Sequence, residues 1–313
     1  MPSITLAQSA LLSQDLLVTG IIEDIITVNP IFEVIPFDGI EGNALGYNRE
    51  NVLGDMQAAQ VGDTITAKNP ATFTYVTSSL TTLVGDAEVN GLIQVTRSNK
   101  QDQTAIQIAS KAKSIARTFQ NYFVNGTGTA PQFSGILTLV DASQSAGAGI
   151  STGTAAANGT ALTFADLDYL IDLVTDKDGQ IDFLMMHSRT HRSLKNLLRT
   201  TAQGGLISEF LALPSGRQVL SYQNIPVFRN DWIPINQTVG STTTCTSVIA
   251  GCWDDGSRSH GLVGLTAKDE AGIVVEDVGI HQSRDERIWR VKWYAGLANF
   301  SRRGVAVLTG VTN

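Results

Sequence analysis

His187 and His191 stand four residues apart, the spacing that places two imidazoles on one helical face to hold zinc. The zincin pattern needs Glu directly after the first His, but Ser188 stands there and no third ligand follows at useful spacing. Gly149-Ile150-Ser151-Thr152-Gly153 matches the G-x-S-x-G pattern that presents a nucleophilic serine. That chemistry needs a strand before the turn and a helix after it, whereas this copy lies in a Ser/Ala/Gly/Thr tract running from Ala142 to Ala161. Gly126-Thr127-Gly128 follows a helical pattern instead of opening one, so it makes no ordinary phosphate cradle. Asp168, Asp172 and Asp176 recur every four residues and read as a solvated helix face. Cys245 and Cys252 are too few for a disulfide scaffold or a four-ligand zinc site. They read as two buried thiols in a reducing cytosol, with a disulfide as the other reading. No catalytic residue, cofactor site or metal site is expected.

The composition points elsewhere. Only 16 % of the 313 residues are charged, against about 25 % in an ordinary soluble domain. Twenty-nine glycines and many Ser, Thr, Asn and Gln take those places. Such a surface suits uncharged polar packing against other protein, so permanent assembly is expected. A net charge of −7 argues against a general nucleic-acid binder. No apolar stretch reaches membrane-span length, and the N-terminus lacks the basic region of a secretory signal. The charge is also unevenly placed: −9 over residues 1–96, +4 over 97–123, and −2 over the rest.

Five segments organise the chain. Residues 1–41 read as an arm, with a short apolar helix over Ile4–Leu17 and then a β-branched stretch broken by Pro30 and Pro36. Residues 42–85 hold few large apolar side chains and cannot build a core of their own. They read as a long two-stranded loop buried on another subunit, with Phe73 to Val84 as a strand. From Asn99 to Asn125 an apolar stripe, Ala105, Ile108, Ala109, Ala112, Ile115, Ala116, Phe119, Tyr122 and Phe123, predicts one long helix stopped at Gly126. Gly126 to Leu137 reads as a turn leading into a strand. Helices over 163–175 and 189–200 then alternate with strands near 181–186, 217–221, 225–229, 247–252 and 273–278. Strands at 288–293 and 305–311 close the chain.

In this order, EVNGLIQVTRSN leads into the long helix and FVNGTGTAPQFSGIL follows its end, with LMMHSRTHRSLKNLL, SYQNIPVFRNDWIP and VIAGCWDD further on. The series resembles the major capsid proteins of tailed bacteriophages, the Hong Kong 97-type shell fold, over essentially the whole chain. The resemblance implies an α+β fold with an N-terminal arm (1–41), an extended loop (42–85), a peripheral domain with a long spine helix (86–136 and 273–313) and a mixed α/β axial domain (137–272). It implies hexamers and pentamers in an icosahedral virion shell around double-stranded DNA, assembled in the host bacterial cytoplasm. Portal and cement proteins would be partners. Met1 opens directly on the arm, so scaffold is expected as a separate protein. Inter-subunit contacts are expected at Lys68, Phe73 and Tyr75 of the loop and at Lys111, Lys113 and Arg117 of the basic helix. An encapsulin-type compartment shares the fold, and an α/β hydrolytic enzyme is the alternative of another class.

Some relatives join a loop lysine to a neighbour's asparagine with a buried glutamate as base. Lys68 is the only loop lysine, Asn299 is the candidate acceptor, and no glutamate can be placed beside them. Boiled particles should therefore run as a single band near the 33.4 kDa chain mass; a ladder resistant to denaturant and reductant would overturn this.

Overall fold

The computed structural model describes residues 31, 34–97, 102–176, 179–200, 210–212, 216 and 218–313. The expected arm helix over Ile4–Leu17 lies outside the described residues. Two sheets and a long helix make the body.

The first sheet has five strands. Strand β14 (Glu286–Asn299) is its spine: β13 (Val274–Ile280) pairs along its first half and β12 (Leu262–Ala267) along its second. Along its other edge lies β4 (Thr81–Asn90), antiparallel from Glu286↔Asn90 to Ala295↔Thr81. Strand β1 (Phe37–Ile40) completes the sheet, parallel to β12. Alternation decides the faces of β14. Val291 and Trp293 are buried, whereas Arg290 and Lys292 point away and pair with Asp86 and with Glu270 and Glu276.

After a short helix α1 (Gly91–Arg97), the long helix α2 (Gln103–Asn125) packs across this sheet. It starts four residues later than the apolar stripe predicts, because Asp102 caps it: its carboxylate accepts the backbone N–H groups of Thr104 and Ala105. Its 23 residues span about 35 Å. Only the C-terminal half of the stripe is buried. Ile115, Phe119 and Phe123 enter the core, but Ala105 and Ala109 are exposed. Phe119 is the centre, with ring centroids 4.6 Å from Trp293, 5.6 Å from Phe133 and 5.9 Å from Phe37. Gly126 does end the helix, but at φ −55°, so left-handed backbone is not its reason. A Cβ there would press on Tyr122 O and Gly135 N, where the chain folds back and Gly135 N–H donates to Gly126 O at 2.9 Å.

The second sheet has eight strands: β5 (Ser145–Gly147), β15 (Val305–Val311), β11 (Thr242–Gly251), β6 (Phe183–Met186), β9 (Ile225–Arg229), β8 (Gln218–Tyr222) and β7 (Phe210–Ala212) in that order, with β10 (Gln237–Val239) on β11. All four residues of β6 are buried because both faces are covered. Leu184 and Met186 join helices α4 (Phe164–Thr175) and α5 (Ser188–Thr200), whereas Phe183 and Met185 join the core that contains α2. That larger core runs through both sheets.

Several expectations are corrected. Residues 262–267, placed in the inserted unit, belong to the five-stranded sheet; residues 305–311, placed with the long helix, belong to the eight-stranded one. Residues 37–40, the end of the expected arm, are a sheet strand, and 81–85 leave the loop to pair with β14. Phe73 to Val84 is two strands, β3 (Thr72–Ser79) and β4, broken at Leu80. Residues 136–139 form a short helix, α3 (Ile136–Leu139), where a strand was expected. The Ala142 to Ala161 tract is ordered by hydrogen bonds: Ala148 N–H donates to Thr309 O, and Thr160 N–H to Gly310 O.

Truncating Phe119 should open a cavity among four aromatic neighbours. Phe119→Ala should cost about 3–5 kcal/mol, read by chemical denaturation; a cost below about 1 kcal/mol would show that the cluster does not hold helix to sheet.

Candidate assembly surfaces

Strands β2 (Ala44–Val52) and β3 form a two-stranded antiparallel hairpin with a long tip, residues 53–71, that leaves the body from the edge of the five-stranded sheet. An isolated pair of strands is marginal in water, so its base must be tied down. Leu45, Tyr47 and Leu80 pack on a small buried cluster of Ile40, Val263, Leu265, Ala298 and Phe300. Tyr47 lies edge-on to Phe300 at 5.1 Å, and its hydroxyl donates to Asn299 O at 2.8 Å. The Arg49 guanidinium donates to Phe300 O at 3.1 Å and Asn299 O at 2.6 Å. The hairpin is thus tied to the last residues of β14.

Beyond that base the hairpin has internal order without a core. The Gln57 side chain accepts the N–H groups of Thr66 and Ala67 and donates to Thr64 O. A Cβ on Gly46 would collide with the Tyr75 hydroxyl, so the absent side chain lets the tyrosine lie across the neighbouring strand. Its apolar side chains face water: Met56 is 93 % exposed, Leu53 74 % and Ile65 63 %. Phe73 and Tyr75, on one face of β3, are 66 % and 68 % exposed. Such a concentration of exposed apolar surface marks a contact site for another protein.

Of the expected contact residues, Lys68, Phe73 and Tyr75 all lie on this hairpin and are exposed. Lys111, Lys113 and Arg117 lie on α2 and are half-buried, so they are not a free basic face. Arg117 stacks over the Trp232 ring at 5.5 Å, and Lys111 lies close enough to Asp86 to help lower its carboxyl below the usual range, after the larger effect of the Arg290 hydrogen bond. Asn299 is 1 % exposed.

The residues that suggested chemistry have structural work. His187 precedes α5, and its Nδ1 accepts the Arg189 N–H at 3.1 Å. His191 is half-buried, and burial holds its imidazole down at about 4, with Lys195 and Arg229 adding repulsion. Among the described residues no group of three or more His, Cys, Asp or Glu could hold a metal ion. Ser151 sits in a 3₁₀ turn between Gly149 (φ 86°) and Gly153 (φ 95°), and its N–H donates to Asp166. Asp166 is fully buried and also accepts from Gly149 N–H and the Thr163 hydroxyl. Sequence reasoning missed it; its position three residues after the cap residue Thr163 was the available signal. Of the aspartates read as a solvated face, Asp172 and Asp176 are exposed, Asp176 also pairing with Arg303, whereas Asp168 is half-buried and accepts from Tyr222 and Gln223. Cys245 and Cys252 are free and buried, and burial pushes the Cys252 thiol up to about 11.

The body joins two sheets and a spanning helix in one core, and the apolar tip of the hairpin finds no cover among the described residues. The chain belongs to the phage capsid family, whose model matches residues 9–237. It is a phage major capsid protein, a structural subunit of the shell, with the α+β Hong Kong 97-type fold. Among solved structures it is similar to the SrpI encapsulin of Synechococcus elongatus PCC 7942, at TM-score 0.72 and 16 % identity over 99 % of this chain and 96 % of that one. The capsid of Cyanophage A-1(L) matches at TM-score 0.65 and 10 % identity, over 95 % and 96 %. That of Myoviridae Phage XM1 matches at 0.59 and 12 %, over 99 % and 100 %. No curated protein sequence matches significantly.

Val52 and Thr72 are register partners, so residues 53–71 can be replaced by Asn-Gly, a two-residue turn suited to hairpins. The shortened chain should keep its circular dichroism spectrum but form no closed shells in electron micrographs. Loss of the folded spectrum would place the tip in the subunit's own core.

Proposed function

We propose that copies of this chain close as hexamers and pentamers into the icosahedral shell of a tailed phage, around double-stranded DNA, with the hairpin of each subunit laid over its neighbour. The observation that carries this is the hairpin: its base is anchored by Arg49 and Tyr47, while its tip exposes Leu53, Met56 and Ile65. Burying such side chains on another copy contributes roughly 25 cal/mol per Å² of apolar surface, and the gain recurs in every subunit. Low surface charge removes the repulsion that keeps free monomers apart. The eight-stranded sheet with α4 and α5 corresponds to an axial domain, and the five-stranded sheet with α2 to a peripheral one. No catalytic step is assigned to the chain. Portal and any cement protein are further partners, and assembly takes place in the host cytoplasm.

The fold alone also suits a compartment enclosing protein cargo, as the likeness to the SrpI encapsulin illustrates. Electron microscopy of particles from cells carrying the intact phage genome, followed by nuclease-protected nucleic-acid analysis, separates the two. Shells with protected double-stranded DNA are expected. Shells that hold protein and no DNA would overturn the viral reading, and failure to form shells would overturn both.

A further inference from the structure

We propose that the outward face of α5 is a phosphate-contacting surface that meets the backbone of double-stranded DNA. The inference rests on the reading of the chain as a shell around DNA. Helix α5 buries Thr190, Leu194 and Leu198 on one side. On the opposite side Arg192, Lys195 and Arg199 are exposed and fall within roughly 60° of one another around the helix axis. No ion pair or hydrogen bond engages these three side chains among the described residues. Other arginines are ion-paired: Arg229 with Asp231, Arg290 with Asp86, Arg302 with Asp141 and Arg303 with Asp176. In a chain of net charge −7, three cations without an acidic partner on one stripe are a local concentration of positive charge.

The stripe borders an open cleft of about 560 Å³, lined by Arg189, Arg192, Ser193, Lys195, Asn196, Arg199 and Asn313. Arg, Lys, Ser and Asn are the side chains that commonly contact phosphate oxygens. The helix adds no exposed large apolar side chain here, whereas the centre of a protein–protein interface is rich in aromatic and apolar groups. That difference favours a polyanion over a second copy of the chain. From Arg192 to Arg199 the helix rises about 10.5 Å, close to three base-pair steps of about 3.4 Å each along one DNA strand. Three cations spread over that length fall along a run of about four successive phosphates and can each meet one without reading sequence. One such contact is weak, but a shell repeats it in every copy.

Binding of a fluorescent 20-base-pair duplex to the full-length chain, kept dilute and unassembled, should show a log–log salt slope of roughly −2.7, about 40-fold weaker binding at 200 mM than at 50 mM salt. The triple change Arg192→Gln, Lys195→Gln, Arg199→Gln should remove most of that slope and weaken binding at least tenfold at 50 mM. Its circular dichroism spectrum and shell formation should match wild type. Lys195→Gln alone should reduce the slope by about 0.9, and the charge-keeping Arg192→Lys, Arg199→Lys pair should retain it. Equal binding by wild type and the triple variant would overturn the proposal. So would a variant that binds DNA normally but no longer closes shells, which assigns the stripe to a neighbouring copy. Wild-type shell formation, read separately by electron microscopy, tests the capsid reading whatever the duplex shows.

Discussion

The contact between the aromatic face of β14 and the C-terminal half of α2 is the one on which the other parts of the subunit depend. Trp293 and Phe119 meet at 4.6 Å, and Val291, Leu83 and Phe123 are buried in the same core. The same strand pairs with β4, β12 and β13, so its position sets three registers together. Its far end, at Asn299 and Phe300, is where Tyr47 and Arg49 fasten the hairpin. A shift of β14 would therefore move the helix, the sheet and the projecting arm as one. Interiors at crystal-like density transmit such displacements instead of absorbing them.

From that rigid body extends an element that is incomplete by itself. A hairpin tip that hydrogen-bonds through Gln57 yet leaves Met56 and Leu53 in water is ordered locally and unsatisfied globally. Apolar side chains held in water in this way make burial against another protein surface favourable. Separate anchoring at Arg49 means the hairpin does not need its neighbour in order to be aimed.

Charge follows a complementary rule. The open face of the five-stranded sheet carries cross-strand pairs such as Arg290 with Asp86, and Lys292 bridges Glu270 and Glu276. Exposed pairs of this kind contribute little stability each, about 0–1 kcal/mol, but they neutralise a surface that would otherwise repel its copies. Arg117, resting on Trp232, and half-buried Lys111 show that the basic segment of the long helix also makes contacts within the subunit.

The sequence by itself determined the local elements whose period or punctuation is strong. The i, i+3, i+4 spacing of Ile115, Phe119, Tyr122 and Phe123 required a helix; the alternation of Trp289 to Trp293 required a half-buried strand; the core-poor stretch 42–85 could not make a core of its own. That the chain assembles was an expectation from composition, since low charge is a property of composition, whereas the shell itself was implied only by the resemblance. Which sheet a strand joins was not legible. Residues 262–267 and 305–311 are both short apolar strands, and a strand's pairing partner lies far off in sequence: Val305 pairs with Gly251, and Leu262 with Asn299. Spacing could mark Asp166 as a capping position but not show that it holds the 149–153 turn by its backbone, nor that Arg117 has an indole beneath it. Those facts depend on what the folded chain places within a few ångströms, and only the tertiary structure decided them.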